Sequence, residues 1–336
     1  MSHEKEKAEA LNYPKVSIII LTFNGLEILK ISLPSVLKTN YPNFEVIVVD
    51  NGSSDSTVSF LSKMFPSVSV ISIYPNKGID IPFNLAASAA HGSLLAFLNN
   101  DMEVDPDWLL PLVQAMDNNG RVACCGSKLI DYSERDIIDS AGGFIDNYGN
   151  SVNRGTGEID KNQFKIQEVF HASSLFKKDL FMKAGGFDES FFIYYDETDL
   201  CWRLLRSGYK ILSVPESVIY HMGSHTISKS STRKPKSIVF HFYKNRLRML
   251  IKNQFGFSLM FSVLVYLIDI CGSSIRMSLI GNQDYIPILG KALVWNLQNL
   301  RGTLQNRIRF KNKSADFKTL FLPYSGVWKR RGVVFA

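Results

Sequence analysis

The sequence lacks the phosphate-binding motifs of the commonest nucleotide-binding folds. No Gly-x-Gly-x-x-Gly follows a predicted strand, and no Gly-x-x-x-x-Gly-Lys-Ser/Thr occurs anywhere in the 336 residues. These two absences argue against a dehydrogenase with a dinucleotide site and against a P-loop ATPase. The sequence also has no internal repeat and no low-complexity tract, and its 46% hydrophobic content predicts a globular protein.

Cysteine is scarce, and its spacing is uninformative for metal or disulfide chemistry. Cys124 and Cys125 are adjacent, whereas Cys201 and Cys271 are far apart. This spacing fits neither a disulfide framework nor a zinc site, so we expect reduced cysteines in the core. The first ten residues are charged and polar, without the apolar run of a secretory signal. We therefore expect a protein that starts in the cytosol.

Acidic residues are nearly absent from the C-terminal third. Residues 226–336 hold 19 Lys and Arg against 3 Asp and Glu, a net charge of +16, whereas residues 1–225 hold 19 against 28, a net charge of −9. A basic, aromatic segment suits an anionic membrane surface, nucleic acid or a solvated helical face. The acidic part suits a divalent metal ion.

The first hundred residues alternate β-branched runs with helical segments. This alternation predicts an α/β sheet built from βαβ units. We expect a strand over Val16–Thr22, a helix over Leu26–Leu37, and strands at residues 44–49, 68–73 and 94–98. Further along, we expect a helix at residues 106–118, strands and loops at 121–166, and strands at 169–175, 209–214 and 218–221.

Polar residues gather just past the ends of the predicted strands. Thr22, Asn24, Asp50 and Asp101 all lie at such positions. In open α/β sheets, ligands bind in the crevice beyond the carboxyl ends of the strands. The sequence therefore predicts an acidic ligand site there, and such a site suits a sugar nucleotide held by a metal ion.

Three carboxylates within four positions form the most acidic cluster of the chain. Asp196, Glu197 and Asp199 follow the aromatic stretch at residues 191–195 and begin a predicted amphipathic helix. Acidic residues in the first turn of a helix commonly cap it. Their mutual repulsion also raises proton affinity, which favours a catalytic base. Both interpretations stay open on the residues alone.

Seven segments stand out in order along residues 14–225. They are Val16-Ser-Ile-Ile-Ile-Leu-Thr-Phe-Asn24, Val48-Val-Asp-Asn-Gly-Ser-Ser-Asp55, Asn76-Lys-Gly78, Leu95-Ala-Phe-Leu-Asn-Asn-Asp101, Gly185-Gly-Phe-Asp188, Tyr195-Asp-Glu-Thr-Asp-Leu-Cys-Trp-Arg203 and Val214-Pro-Glu-Ser-Val-Ile-Tyr-His221. In this order and spacing they resemble the family 2 glycosyltransferases with a GT-A fold, particularly the rhamnosyltransferase-like branch that builds cell-surface polysaccharides. The resemblance implies a Rossmann-like mixed sheet flanked by helices, followed by a basic helical C-terminal region.

The resemblance also implies roles for individual residues. Residues implied to bind the nucleotide sugar are Thr22, Asn24, Asp50, Asp55, Asn76, Gly78, Asn99 and Asn100. Asp101 and His221 are implied to hold Mn²⁺ or Mg²⁺, of which Mn²⁺ is slightly favoured because an imidazole is among the ligands. Asp199, Trp202 and Arg203 are implied to lie on the acceptor side. Asp55 has an alternative role as a helix cap.

The sequence departs from the usual family pattern at several positions. Asn99 stands where the first acid of an Asp-x-Asp metal motif is expected, so Asp101 would carry most of the coordination. The order Asp196-Glu197 inverts the usual Glu-Asp, so either residue could be the base, and we favour Glu197. Residues 81–83 are bulky where relatives often have a small, Gly-rich run, so the identity of the donor nucleotide and sugar is not predicted. Because the Gln-x-x-Arg-Trp of processive synthases is missing, we expect transfer of one sugar at a time.

The resemblance divides the chain into a polar extension at residues 1–13, a catalytic domain at 14–225 and a C-terminal region at 226–336. The nucleotide-sugar half would span about 14–105 and the acceptor half about 106–225. We expect residues 244–252 and the uncharged run 255–268 to rest on the anionic inner face of the plasma membrane, or alternatively to pack as a helical lid.

We thus expect an inverting glycosyltransferase that moves one sugar from a nucleotide-diphospho-sugar to a glycan or lipid-linked acceptor. The alternative is a non-catalytic, membrane-associated binding protein that retains the fold, which Asn99 and the altered residues 79–83 would suit. Nucleic acid is not expected as a partner because no recognised binding module accompanies the basic charge.

Overall fold

The structure is a computed structural model that describes residues 13–117, 120–146, 148–171, 174–223, 235–308 and 321–322. The proposed polar extension lies outside the described residues except for Tyr13. Parts of the proposed C-terminal region, residues 226–234, 309–320 and 323–336, also lie outside them. The division into domains stays a prediction.

A ten-stranded mixed sheet forms the centre of the molecule. Its main path runs in the order β10-β12-β6-β11-β4-β1-β2-β3, while β5 pairs with β12 and β7 pairs with β6. The strands are β1 Val16–Thr22, β2 Phe44–Asp50, β3 Ser69–Ser72, β4 Leu94–Asn99, β5 Met102–Val104, β6 Val122–Asp131, β7 Ile138–Ser140, β10 Gln167–Glu168, β11 Leu175–Lys177 and β12 Lys210–His221. A small second sheet contains β8 Gly143–Asp146, β9 Ser151–Asn153 and β13 Phe321–Leu322.

Helices cover both faces of the large sheet. They are α1 Leu26–Leu37, α2 Thr57–Met64, α3 Asp80–Ala89, α4 Leu109–Asp117, α5 Lys178–Lys183 and α6 Asp196–Arg206. One apolar core lies where α1, α2 and α4 meet the sheet, and a second where α3, α5 and α6 meet it. The seven residues of β1 are all buried, as a strand covered on both faces must be.

The predicted alternation of strands and helices is confirmed in the N-terminal half. The bounds of β1 and α1 are those expected, and β2, β3, β4 and α4 differ from expectation by a few residues at their ends. The four strands β3, β2, β1 and β4 are parallel neighbours. Their carboxyl ends therefore meet at one edge of the sheet, where the sequence predicted the ligand site.

Two predictions in the second half are wrong. Of the strand expected at residues 169–175, only Leu175 lies in a strand among the described residues, and residues 172–173 lie outside them. Val169 N donates to Ile211 O of β12 and Phe170 N to Gly143 O of the second sheet, so these two residues bond to other strands than β11 does. The two strands expected at 209–214 and 218–221 form one strand, β12, with a shift in register between Val214 and Val218. A bulge of this kind accommodates Pro215, which has no N–H to donate to the ladder.

Four further helices form a C-terminal layer: α7 Lys236–Asn253, α8 Gly256–Leu279, α9 Ile286–Gln298 and α10 Leu300–Ile308. Residues of α7, α8 and α9 share a third apolar core that includes Tyr243, Tyr266 and Leu289. α7 also packs against α6 and the segment before it, where the side chains of Arg248 and Lys252 are about 95% buried.

The expectation that residues 244–252 rest on a membrane is therefore wrong. Lys244, Arg246, Arg248 and Lys252 are all buried, because they pair with carboxylates or backbone carbonyls of the protein itself. Residues 244–252 instead match the alternative, a helical lid packed on the predicted catalytic domain.

Candidate active site

Parallel strands bring the first predicted nucleotide-binding residues together. Thr22 ends β1 and lies in register with Asp50, which ends β2. On the other side of β1, Asn99 ends β4 beside Leu21. Asp50 is almost fully buried, and its Oδ1 atom has no hydrogen-bond partner among the described residues. A buried carboxylate oxygen without a partner is costly, so a ligand donor at this position would compensate for it.

Asn100 and Asn24 order the turns that follow these strands. The Asn100 amide donates to Thr22 Oγ1 at 3.0 Å, so it links the end of β4 to the end of β1. Asn24 Oδ1 accepts the backbone N–H of Ser54 at 2.8 Å and thereby joins the turns after β1 and β2. Both asparagines hold the shape of the crevice from neighbouring turns.

Asp55 serves as a cap in this structure. Its Oδ1 accepts the N–H of Thr57, the first residue of α2, at 3.1 Å, and its Oδ2 accepts the N–H of Leu26, the first residue of α1, at 3.3 Å. Burial raises the pKa of Asp55, but hydrogen bonds from Thr57 and Leu26 lower it by more. The alternative role as a helix cap thus has direct geometric support.

Asn51 is a connecting residue that the sequence analysis missed. It is buried, and its Nδ2 donates to Gly78 O at 2.7 Å and to Asn76 Oδ1 at 3.2 Å, while its Oδ1 accepts the Lys77 N–H at 2.9 Å. Asn51 therefore fixes the predicted donor loop at Asn76 and Gly78 against the end of β2. The signal in the sequence is its position directly after Asp50.

The predicted metal ligands are adjacent. β12 pairs with β5 so that His221 lies opposite Met102, and Met222 N donates to Asp101 O at 2.9 Å. His221 Nε2 is 3.4 Å from Asp101 Oδ2, and Asp101 Oδ1 is buried without a partner among the described residues. An oxygen and an imidazole nitrogen thus face one another, which is the donor set that Mn²⁺ accepts.

Asp139 is a second residue that the sequence analysis missed. Its Oδ2 lies 2.8 Å from His221 Nδ1, on the ring edge opposite Asp101. Burial lowers the pKa of His221, but the hydrogen bonds to Asp101 and Asp139 outweigh this and raise the pKa to about 10. Without a cation the ring is therefore protonated on both nitrogens. A cation at Asp101 would displace the Nε2 proton, while Nδ1 would go on donating to Asp139, as metal-binding histidines commonly do.

The protein ligands alone do not complete a metal site. Within the described ranges, no group of three or more His, Cys, Asp or Glu side chains is arranged to hold a metal ion. Asp101 and His221 would therefore supply two positions, and the others would fall to phosphate oxygens and water, as is usual for Mg²⁺ with a nucleotide.

The acidic cluster begins α6 as predicted. Tyr195, the N-cap residue, is in a left-handed conformation with φ of 66°, and among the described residues its side chain makes no capping hydrogen bond. Asp196 and Glu197 are half-buried. Burial and the nearby charge of Glu197 raise the pKa of Asp196 to about 7, although the backbone N–H groups of Asp196 and Glu197 oppose this. A carboxylate with a pKa near 7 is suited to general base catalysis.

A close backbone contact connects the acidic cluster to the donor loop. Ile79 N donates to Phe192 O at 2.7 Å. Gly78 has φ of +78°, and a Cβ at this position would lie 2.4 Å from Phe192 O, so only glycine permits the contact. Asp80, the next acid along, is fully buried, and its pKa is raised by burial and by the charge of Asp196.

The three residues predicted on the acceptor side are buried. Asp199, Trp202 and Arg203 are at most 3% exposed. Arg203 Nε donates to Asp199 Oδ2 at 2.9 Å, and the Arg203 guanidinium donates to backbone carbonyls of Ala184 and Gly186. Buried in this way, the three side chains support α6, and their implied place on the acceptor side stays a prediction.

A comparison with known families shows to which family the chain belongs. The profile of "Glycosyl transferase family 2" matches residues 17–185, which is half of the chain. The chain belongs to glycosyl transferase family 2. The matched range contains β1 to β4, the donor loop and Asp101, but ends before α6 and His221.

Two sequence relatives agree with this membership. The family 2 chain is 29% identical over 225 residues to the O-antigen biosynthesis protein RfbC of Myxococcus xanthus, covering 62% of this chain and 17% of RfbC. It is 26% identical over 235 residues to the O-antigen chain rhamnosyltransferase RfbN of Salmonella typhimurium, covering 68% and 72%. It thus spans less than a fifth of RfbC.

A mannosyltransferase from Pyrobaculum calidifontis, solved in complex with GDP-Man and Mn²⁺, matches with a TM-score of 0.51 at 14% identity, covering 92% of this chain and 91% of that one. At this identity the likeness concerns the fold alone. The predicted GT-A fold is confirmed. The assignment of individual site residues stays a prediction.

Proposed function

We propose that this family 2 protein is an inverting glycosyltransferase. It would move one sugar from a nucleotide-diphospho-sugar to a hydroxyl of a glycan or lipid-linked acceptor in the synthesis of a cell-surface polysaccharide. The observation that carries the proposal is the contact between Ile79 N and Phe192 O, because it joins the donor loop to the segment that delivers Asp196 and Glu197. The O-antigen relatives support the substrate class.

The nucleotide would lie across the carboxyl ends of β1, β2 and β4. Asp50 Oδ1, which has no hydrogen-bond partner among the described residues, would accept a hydrogen bond from an N–H group of the nucleotide base. Asn51 and Asn100 hold the surrounding turns, so the crevice is formed before a ligand enters. A preformed site lowers the ordering cost of binding.

Asp101 and His221 fit a divalent cation, with Asp139 behind the imidazole. The free Oδ1 of Asp101 and the carboxylate-oriented ring of His221 are the features that such a site requires. A cation bound there supplies charge neutralisation for the leaving diphosphate. The Mn²⁺ in the mannosyltransferase of the same fold supports this assignment for the family 2 chain.

Asp139→Asn should weaken cation binding without affecting the fold. Loss of the carboxylate behind a metal-binding histidine commonly lowers affinity by about 10–100-fold. We expect that factor in the Mn²⁺ concentration that half-saturates thermal stabilisation, with UDP or GDP present, whichever stabilises the wild-type protein. Asp136→Asn, at an exposed acid just before strand β7, which contains Asp139, is the matched control. An unchanged half-saturation for Asp139→Asn would contradict the role of Asp139.

The transfer step follows from the acids at the start of α6. The acceptor hydroxyl attacks the anomeric carbon of the donor sugar as the bond to the diphosphate breaks, and Glu197, or its neighbour Asp196, accepts the hydroxyl proton. A single displacement inverts the configuration at the anomeric carbon. Because Asp196 holds a proton up to about pH 7, the charge of the pair changes within the physiological range.

The function is tested by screening UDP- and GDP-sugars with Mn²⁺ for release of nucleoside diphosphate. A donor that supports release and also raises the melting temperature identifies the substrate class, because a ligand of the folded state alone stabilises it. Transfer to an acceptor must yield the anomer opposite to that of the donor. Donor binding without any turnover would instead favour a non-catalytic binding protein.

We further propose that α8 attaches the protein to the cytoplasmic face of the plasma membrane. α8 has 24 residues, and it is the one helix in the described part of the chain that is long and apolar enough to cross a bilayer; only 17% of its most apolar window is buried. Its exposed apolar side chains include Phe257, Met260, Phe261, Leu264, Ile268, Ile275 and Leu279.

Contacts along its other face favour a helix that lies in the interface. Tyr266 OH donates to Tyr243 O at 2.9 Å, and Asp269 pairs with Arg246 at 2.6 Å, so α8 is tied to α7 near its middle. The exposed cations Arg276, Lys291 and Arg301 lie on the same helical layer and suit anionic headgroups. One apolar face and one protein-bound face are typical of an interfacial helix.

The double variant Phe257→Glu/Leu264→Glu should release the protein from vesicles of phosphatidylglycerol and phosphatidylcholine. Each apolar side chain buried in lipid contributes about 1.5–3 kcal/mol, so we expect at least tenfold weaker binding in flotation or sedimentation assays. Met64→Glu, at an equally exposed residue at the end of α2, is the control and should bind as the wild type does. Equal binding of the double variant would refute attachment through α8.

A further inference from the structure

The segment that delivers Asp196 and Glu197 is held in an unusual backbone conformation. Phe192, Tyr194 and Tyr195 have φ values of 73°, 68° and 66°, which non-glycine residues rarely adopt. Three such residues within four positions persist only where the surroundings impose the conformation. The contacts of residues 190–195, here called the delivery loop, therefore decide how α6 begins.

Most of the contacts that the delivery loop makes through its carbonyl groups come from α7. Lys244 Nζ donates to Ser190 O at 2.5 Å. His241 Nδ1 lies 3.0 Å from Phe191 O, and the His241 ring stacks on the Phe192 ring with centroids 4.9 Å apart. The one carbonyl between residues 190 and 194 that α7 does not contact is that of Phe192, which accepts the N–H of Ile79.

Asn245 makes the densest set of these contacts. Its Nδ2 lies 3.0 Å from Phe191 O, 2.7 Å from Ile193 O and 2.9 Å from Tyr194 O. Asn245 is fully buried, so these hydrogen bonds do not compete with water. One amide group thus lies within hydrogen-bond distance of three carbonyls and, with two N–H groups, shares one of them between two carbonyls. The left-handed residues Phe192 and Tyr194 lie in the same stretch.

We propose that Asn245 is a positioning residue for sugar transfer: by gathering the carbonyls of Phe191, Ile193 and Tyr194, it holds the delivery loop so that Asp196 and Glu197 face the donor. This inference rests on the proposed function. It assigns α7 a role in the reaction although no α7 side chain is placed at the reacting atoms. It also explains why a helix beyond the matched family range packs so closely on the acidic cluster.

The test compares Asn245→Ala with Asn296→Ala. Asn296, on α9, is an equally buried asparagine whose Nδ2 donates to the carbonyls of Lys244 and Ala292, so its loss is a matched structural defect that removes no side-chain contact of the delivery loop. We expect Asn245→Ala to lower kcat at least 20-fold while the Kd of the nucleoside diphosphate changes less than threefold. Asn296→Ala should retain kcat within threefold at a similar loss of melting temperature.

Hydrogen exchange supplies a readout that is independent of turnover. We expect peptides covering residues 188–200 to exchange at least tenfold faster in Asn245→Ala than in Asn296→Ala. If no nucleotide sugar is turned over by the wild-type protein, the proposed function fails, yet this exchange difference still shows whether Asn245 holds the delivery loop.

Two results would overturn the proposal: equal kcat losses in the two alanine variants, or an unchanged kcat in folded Asn245→Ala. If Asn245→Ala does not fold, Asn245→Ser takes its place, since the hydroxyl retains one donor and fills part of the space. We expect an intermediate loss of kcat for Asn245→Ser, and wild-type kcat in this variant would equally refute the role of Asn245.

Discussion

Glu197→Gln is expected to lower kcat for sugar transfer by about 10²–10⁴-fold, the range that general base catalysis supplies. Glutamine keeps the size of the side chain and removes only the ability to accept the hydroxyl proton. Because the nucleotide crevice is built from β1, β2 and β4, we expect the donor KM to change less than threefold. Steady-state kinetics with the donor identified by the nucleotide screen measures both quantities.

Asp196, the acid next to Glu197, should affect the pH dependence of kcat more than the maximal value of kcat. When Asp196 loses its proton near pH 7, its charge makes the neighbouring Glu197 a stronger base, so the wild-type protein should gain activity as the pH rises through 7. In Asp196→Asn that limb of the kcat profile should disappear. If Asp196→Asn lowers kcat more than 10²-fold while Glu197→Gln has only a mild effect, then Asp196 is the base and Glu197 is the neighbouring acid.

Asp196→Asn should also stabilise the protein at alkaline pH. The folded-state pKa of Asp196 lies above the value of an unfolded aspartate, so the folded state holds the proton more tightly and loses stability as pH rises from about 4 to 7. Asparagine removes that penalty, and the melting temperature at pH 8 should rise. Glu216→Gln, at an exposed residue of β12, controls for a change of charge alone and should alter neither kcat nor its pH profile.

The nucleotide half of the fold is predictable from sequence because its signals are local. The β-branched runs of β1 and β2 are buried on both faces, so hydrophobicity alone marks them, and parallel pairing then brings Thr22 beside Asp50. The same reasoning fails for residues 169–175, where Val169 and Phe170 are buried but donate to Ile211 O and Gly143 O, whereas Leu175 pairs with β4 and β6. Burial marks both regions, but it does not tell which strand a buried residue pairs with.

The partners of site residues are less predictable because they depend on distant contacts. Asp139 lies 82 residues from His221, and Asn245 lies 51 residues from Tyr194, so no spacing in the sequence announces either pair. Charge was misleading for the same reason. The cations between residues 244 and 252 resemble a membrane-binding patch, yet their carboxylate partners are supplied by segments up to 64 residues away.

Lys252→Met should destabilise the protein strongly. Lys252 Nζ lies 2.7 Å from both Asp188 Oδ2 and Asp199 Oδ2, and the three side chains are at most 8% exposed. Burial would raise the pKa of Asp188, but Lys252 and Arg248 hold it well below its usual range. Lys252→Met removes one hydrogen bond to each carboxylate, although Arg248 still pairs with Asp188 and Arg203 with Asp199. Each lost hydrogen bond to a charged group costs about 1.5–3 kcal/mol. Urea unfolding monitored by circular dichroism measures the loss.

Lys236→Met, at the start of the same helix, is the matched control. Its pair with Asp284 spans 2.9 Å, but the two side chains are 50% and 45% exposed. Exposed pairs contribute about 0–1 kcal/mol, so we expect little change in the free energy of unfolding. Equal effects of the two variants would show that the Lys252 cluster is solvated. A larger effect at Lys252 would establish that α7 is anchored through Asp188 and Asp199, two acids of the family sequence motifs. The packing of α7 and the acidic cluster at the start of α6 would then depend on one another.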